Sequence, residues 1–291
     1  MDKIISFSLT EYPVRLYIAF STQTVGKMHE LHNTTPNAAA MAGRTITATA
    51  LMGSMLKNDS DILTVTINCN GEIGRVVATA GNSGRVKCDI LNPQTNLYHK
   101  APGKLDVAAV VGEGTLTVVK DLGMKNPYIG QVDLVSGEIA QDFTYYFAVS
   151  EQTPSAVALG VHVGKDLSII SAGGFILQLM PGCPEEIIDI LEKNIANVST
   201  ISEMLADGYD EYKIADTVFG KLNYHFLSES PLEYYCDCSD SKIEKMIIAL
   251  GKDEIGSIID EGNDIEIVCH FCNTKYIVTV EKLKAILEAA L

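Results

Sequence analysis

Positive charge is scarce in this chain: Lys and Arg number 22 against 37 Asp and Glu, a formal net charge of −15. The deficit is uneven, since residues 1–182 hold 15 acids and 13 bases, residues 183–231 hold 10 and 3, and residues 232–291 hold 12 and 6. Nucleic-acid binding needs a positive face that releases counterions from phosphate, and neither acidic segment can readily present one. Long apolar runs are missing too. No stretch of eighteen apolar residues occurs, so no membrane-spanning helix is expected. The first fifteen residues carry Asp2, Lys3, Glu11 and Arg15, which leaves no room for the apolar core of a secretory signal. The expected location is cytoplasmic. Neither a dinucleotide fingerprint nor a phosphate loop is present, and no Ser or Cys nucleophile with a nearby base can be assigned. The chain is not expected to be an enzyme.

What is present is a folding composition, 47% hydrophobic over 291 residues, enough for one or two domains with real cores. Residues 1–182 mix strands and helices without the regular alternation of a doubly wound sheet, so an α+β fold is expected. Strands are read at Val14–Phe20, Leu63–Asn68, Arg75–Ala80, Gly114–Lys120, Phe143–Val149 and Gly174–Met180, each rich in β-branched or aromatic residues. Thr35 to Leu56, opening on Pro36 and dense in alanine, reads as a buried helix capped by Thr35.

The texture changes at Pro181, Gly182, Cys183 and Pro184. Residues 183–231 read as a helical linker: Ile187, Ile188, Leu191, Ile195 and Val198 fall at helical spacing, Ser199 can cap a second short helix, and Asp210 a third. Three short amphipathic helices make no core of their own and must lie on a neighbouring domain, from which they are candidates for release. Residues 232–291 form a small third unit, read as a strand Tyr234–Cys238, a helix capped by Asp240, a second helix up to Gly262, a hairpin Ile265–Cys269 and Tyr276–Val280, and a last helix Glu281–Ala290. A unit this small commonly needs a metal or disulfides.

Seven cysteines are an odd count, and in a chain without an export signal they are read as thiols or ligands. Four pair closely: Cys236-Asp-Cys238 and Cys269-His-Phe-Cys272, with 30 residues between the pairs. Two such pairs brought together make a four-sulfur tetrahedral zinc site. Three readings stay open at this point: a structural zinc, a thiol oxidoreductase using Cys269 and Cys272, and a switch in which the zinc thiolates are oxidised. The oxidoreductase pair normally opens a helix after a strand, whereas this one sits in a hairpin turn. Magnitudes show what a switch would do. Structural zinc contributes about 10 to 16 kcal/mol of apparent binding energy, and if oxidation paired sequence neighbours, each loop would contribute only about 1.5 to 2 kcal/mol. Neighbour disulfides also tie nothing distant together, so oxidation should unfold the unit. Apolar surface uncovered in this way is a binding site for other unfolded chains, and the surrounding negative charge keeps such a molecule in solution.

His270 lies inside the knuckle, but four thiolates already complete a tetrahedron, so it is read as a turn residue. His29 and His32 sit three apart without a third candidate ligand and are read as surface residues. Cys69, Cys88 and Cys183 lack partners at motif spacing and are read as core or ordinary thiols.

The C-x-C and C-x-x-C pairs at this separation, behind a helical linker and an α+β domain, resemble the heat-shock protein 33 family of redox-regulated chaperones, the 33 kDa chaperonins. The resemblance spans the chain. It includes the run L-V-S-G-E-I-A-Q-D-F-T-Y-Y-F-A-V-S-E-Q-T-P-S-A-V-A-L-G-V from Leu134 to Val161 and A-G-G-F-I-L from Ala172 to Leu177. It implies a holdase that binds unfolding client proteins, inactive when reduced and zinc-bound. Cys236, Cys238, Cys269 and Cys272 would be both the ligands of one zinc per chain and the redox sensors, forming disulfides Cys236–Cys238 and Cys269–Cys272 when oxidised, with loss of zinc and unfolding of the C-terminal unit and linker. It further implies homodimers on activation and hand-over of clients to ATP-dependent chaperones. The contrasting reading, a zinc-ribbon module with constitutive partner or nucleic-acid binding, predicts binding under reducing conditions that chelation abolishes.

Overall fold

The computed structural model describes residues 1–196 and 200–289; Val198, the expected cap at Ser199 and Ala290 lie outside the described residues. Two compact units divide between Tyr235 and Cys236. The first opens with β1 (Lys3–Leu9), β2 (Val14–Phe20), α1 (Thr22–His32) and α2 (Pro36–Gly53). It continues through β3 (Ile62–Cys69), β4 (Arg75–Ala80), β5 (Arg85–Ile90), β6 (His99–Ala101), β7 (Lys104–Leu105), α3 (Ala108–Val111), β8 (Gly114–Asp121), β9 (Tyr128–Asp133) and α4 (Ala140–Val149). After β10 (Ser155–Val163) and β11 (Ile169–Leu179) come three helices, α5 (Glu185–Ala196), α6 (Ile201–Ala206) and α7 (Glu211–Phe219), then β12 (Tyr224–Pro231) and β13 (Glu233–Tyr234). The second unit holds α8 (Asp240–Leu250), α9 (Lys252–Glu261), β14 (Ile265–Val268), β15 (Lys275–Val278) and α10 (Val280–Ala289). The fold is α+β, as expected.

Two large sheets build the first unit, in the orders β10-β11-β2-β1-β12 and β13-β5-β4-β3-β8-β9, with β6 and β7 paired separately. Every pairing is antiparallel except β13 with β5. Helix α2 packs on strands of both sheets, and 16 of its 18 residues are buried. Its sequence explains how: alanine and glycine allow close approach, and the buried hydroxyls of Thr45, Thr47 and Thr49 bond back to the carbonyls of Met41, Gly43 and Thr45 at 2.7–3.0 Å, so burying them leaves no polar group unmet. The expected Thr35 cap differs in detail, since its hydroxyl turns instead to Thr95, 2.9 Å away.

One face of the first sheet carries Ile5, Phe7, Leu16, Ile18, Phe175 and Leu177. Against it lie Ile187 and Leu191 of α5, Ile201 and Met204 of α6, and Ile214, Val218 and Phe219 of α7. The linker helices therefore cover a sheet face with their apolar stripes, each fully buried side chain contributing about 1.5–3 kcal/mol. Glycines set the depth of docking. A Cβ on Gly160 of β10 would stand 2.6 Å from Ile201 and 2.7 Å from the Ser202 backbone nitrogen. Caps punctuate the helices: Thr200 and Glu203 form a capping box on α6, and the Asp210 carboxylate accepts the Lys213 N–H at 2.8 Å on α7.

Two local readings need correction. Phe143–Val149, read as a strand, is the body of α4. Buried Asp142 accepts the backbone N–H groups of Val135, Ser136, Gly137 and Ile139 at 2.8–3.3 Å, and this cap starts a helix despite the aromatic content that favours strand. The strand expected over Tyr234–Cys238 is confined to Glu233–Tyr234, which pairs with Arg85 and Val86 of β5. Its anchor is Tyr234, whose hydroxyl donates to the Cys88 carbonyl at 3.1 Å, accepts the Cys88 N–H at 3.3 Å and lies 3.3 Å from His32 Nε2.

Candidate metal and thiol centre

The second unit has little core. Among its described residues, Ile243, Ile247, Ile255, Val278, Leu283 and Ile286 are the buried apolar ones, ringed by partly buried neighbours such as Ile258, Ile267 and Tyr276. Helix α8 is capped by Ser239, whose hydroxyl accepts the Lys242 N–H at 3.4 Å, so Asp240 is its first helical residue and not its cap. Cys236 and Cys238 lie in the irregular chain just before that cap. Cys269 and Cys272 lie in the turn between β14 and β15, which pair from Ile265–Val278 to Val268–Lys275. Asn273, at φ 56°, supplies the left-handed residue this turn requires and donates its N–H to the Cys269 carbonyl at 2.7 Å. The turn closes with the Cys269 N–H on the Thr274 carbonyl at 2.9 Å.

These two segments bring the four sulfurs within 4.8 Å of one another. Cys236 Sγ stands 3.7 Å from Cys269 Sγ, and Cys238 Sγ 3.3 Å from Cys272 Sγ. A tetrahedron with metal–sulfur bonds of about 2.3 Å has edges of about 3.8 Å, so the thiol spacing fits a soft tetrahedral cation. All four side chains are partly buried.

The surroundings bias the thiols differently. Burial pushes the Cys236 and Cys269 thiols up from the ordinary range. Burial acts on Cys272 in the same sense, but hydrogen bonding with Thr274, whose hydroxyl oxygen is 3.1 Å from Sγ, and with the neighbouring thiols overcomes it and brings Cys272 down to about 7. The Tyr276 hydroxyl donates to Cys238 Sγ at 3.0 Å, and that bond raises the tyrosine's own pKa. Lys242 pairs with Asp237 beside the first thiol pair. Both Thr274 and Tyr276 escaped the sequence reading. The signal was faint: a hydroxyl residue two positions after the knuckle, and an aromatic on the returning strand.

The other candidates stand apart. His270 is exposed and outside the cluster. His29 Nδ1 lies 2.7 Å from the Thr34 hydroxyl, and His32 is buried against Tyr234, a correction to its reading as a surface residue. Cys88 is fully buried in β5, Cys69 ends β3, and Cys183 precedes α5; burial raises all three thiols.

The chain thus combines a four-thiol centre in a unit of small core with an α+β unit whose sheet face is covered by helices. The comparisons name the class. The family described as Hsp33 protein matches residues 2–279. The chain is 42% identical over 290 residues to the 33 kDa chaperonin of Thermoanaerobacter sp. (strain X514), and 44% identical over 290 residues to that of Caldanaerobacter subterraneus subsp. tengcongensis, each alignment covering 99% of both chains. The crystal structure of the 33 kDa chaperonin (heat shock protein 33 homolog) from Thermotoga maritima superposes with a TM-score of 0.89 at 35% identity, covering 98% of each chain. The chain belongs to the Hsp33 family of 33 kDa chaperonins. Among the described residues, no helix is long and apolar enough to cross a membrane.

Proposed function

We propose that this protein is a redox-regulated holdase of the cytoplasm, divided functionally into a chaperone domain of residues 1–182, a linker of 183–231 and a switch domain of 232–291. The carrying observation is the convergence of four sulfurs within 4.8 Å in a unit with six buried apolar residues among those described. In the reduced form Cys236, Cys238, Cys269 and Cys272 hold one zinc ion. Bound there, the ion supplies a cross-link between two chain segments worth about 10 to 16 kcal/mol of apparent binding energy.

Oxidation works through the thiols themselves. Each pair of sulfurs gives up two electrons to a peroxide-type oxidant and joins, Cys236 with Cys238 and Cys269 with Cys272. The sulfurs then no longer serve as ligands. Two short-loop disulfides, at about 1.5 to 2 kcal/mol apiece, cannot replace the lost cross-link, and the small unit unfolds. Release of α5–α7 follows, uncovering the sheet face around Phe7, Leu16, Ile18 and Phe175. Unfolding proteins bind this apolar surface, and the acidic linker keeps the complex soluble. Dimerisation of the active form and transfer of clients to ATP-dependent chaperones complete the reading, which needs no catalytic residue.

The test is light scattering from a thermally unfolding client mixed with this protein, either reduced and zinc-loaded or pre-oxidised. Suppression by the oxidised form alone supports the holdase. Suppression by neither form, or binding that persists under reducing conditions and is lost on chelation, rejects it.

A further inference from the structure

Nine methionines occur in the sequence, and they fall into three groups by environment. Met1, Met124 and Met246 are open to solvent, at 107%, 70% and 51% exposure. Met28, Met41 and Met204 are sealed in cores at 0–1%. The remaining three, Met52, Met55 and Met180, line one cavity of about 230 Å³ at the C-terminal end of α2, together with Phe147 and the Lys120–Glu151 ion pair. A water molecule occupies about 30 Å³ in the liquid, so this space admits several waters, or an oxidant little larger than water. Met52 is only 3% exposed on its residue surface, yet it faces the same void.

Met180 ties the cavity to the linker. Its N–H donates to the Pro13 carbonyl at 2.9 Å, its carbonyl accepts the Cys183 N–H at 3.3 Å, and α5 begins at Glu185. It is the last residue held to the sheet before the chain turns at Gly182, φ 89°, into the first linker helix. The wall opposite already carries a committed polar pair, with Lys120 Nζ and the Tyr146 hydroxyl both bonded to Glu151 Oε1 at 2.6 Å. A new dipole in the cavity meets the thioethers, Leu56 and Phe147, an ion pair whose Glu151 oxygen is already shared by Lys120 and Tyr146, and the polar side chains of Thr153 and Gln178 at its edge.

We propose that Met52, Met55 and Met180 are a second oxidation site, modified to methionine sulfoxide by small two-electron oxidants of the peroxide class independently of the cysteines. In the step, a thioether lone pair attacks one oxygen of hydrogen peroxide and the O–O bond breaks. The sulfur–oxygen bond forms, and the departing hydroxide takes up the proton that the transferred oxygen gives up, leaving one sulfoxide and one water. Sulfur is oxidised by two electrons and peroxide oxygen is reduced by two. The product is a polar, chiral group in place of a flexible apolar one, set against the residue that anchors the linker. Its consequence is a weaker hold on α5–α7 that persists after the thiols are reduced. That consequence rests on the linker release proposed above, whereas the modification itself does not.

The experiment treats the full-length protein with hydrogen peroxide, then resets the thiols with dithiothreitol and zinc, which leaves sulfoxides in place. Peptide mass spectrometry maps the sulfoxides, and limited proteolysis reads the linker. The expected map shows sulfoxide at Met52, Met55 and Met180 with Met28 and Met41 spared, and linker cleavage about tenfold faster than in untreated protein, reversed by methionine sulfoxide reductases. A Met52→Leu, Met55→Leu, Met180→Leu variant keeps the volume and should reset completely; Met180→Leu alone serves if the triple variant folds poorly. Cavity methionines left unmodified while Met124 is fully oxidised would overturn the site. Linker cleavage equally fast in the leucine variants after the same treatment would overturn its effect on the linker. Failure of the cysteine switch shows separately, as zinc retained in protein oxidised but not reset.

Discussion

The Tyr276 hydroxyl points its proton at Cys238 Sγ from 3.0 Å, reaching from β15 to the thiol segment that precedes α8. A donor in this position stabilises the negative charge a sulfur must carry to hold a metal, and partners of this kind typically contribute 10–100-fold to metal affinity. Tyr276→Phe removes the hydroxyl and little else. Zinc affinity, measured by chelator competition on reduced protein, should fall about tenfold, while Tyr128→Phe in the first unit should leave it unchanged.

Removing the metal or one ligand should have a larger effect. Chelation of the reduced protein, or Cys236→Ser, should collapse the amide protection of α8, α9 and α10, since the six buried apolar residues among the described residues of this unit, five of them on these helices, are too few to hold a fold alone. Hydrogen exchange followed by mass spectrometry reads this directly. The chaperone reading further expects the Cys236→Ser protein to suppress client aggregation without oxidant.

The linker can be loosened without touching the thiols. Gly160→Ala places a methyl 2.6 Å from Ile201 and 2.7 Å from the Ser202 nitrogen, so α6 must lift. Overpacking of this kind costs about 1–3 kcal/mol, and proteolysis within residues 183–223 should quicken about tenfold or more. Zinc content should remain one per chain, and client binding in the reduced state should rise.

Asp142 makes a different demand. Its buried carboxylate accepts four backbone N–H groups and the Ser136 hydroxyl. Asparagine turns an amide nitrogen toward some of those donors, leaving buried groups unmet at about 1–3 kcal/mol each. Asp142→Asn should lower the melting temperature of the first unit by several degrees or more, with zinc affinity unchanged.

How far the sequence led depended on the range of the forces involved. The cysteine quartet was legible because ligand type and spacing are local properties, and the linker helices because their stripes repeat at 3.6 residues. The helix over Phe143–Val149 was misread because its aromatic residues favour strand, and the deciding Asp142 cap depends on a loop folded back upon it. β12 was hidden inside the expected linker: Tyr-His-Phe-Leu-Ser-Glu-Ser-Pro has no clean alternation, and it becomes a strand by pairing with β1 more than 200 residues away. Tyr276 and Thr274 became functional candidates only once the fold set the Tyr276 hydroxyl against Cys238, 38 residues earlier, and the turn set Thr274 against Cys272.

That late strand changes what release of the linker means. β11 ends at Leu179 and β12 begins at Tyr224, and both are strands of the same sheet, so the 44 residues between them form a closed loop and not a free tail. β13 then fastens the following residues to β5. A loop held at both ends keeps its helices at an effective concentration in the millimolar range over the face they left, and lengthening such a loop adds entropy only logarithmically. Re-docking is therefore unimolecular and needs no outside help. On the holdase proposal, a client that occupies the face competes with a lid that never diffuses away.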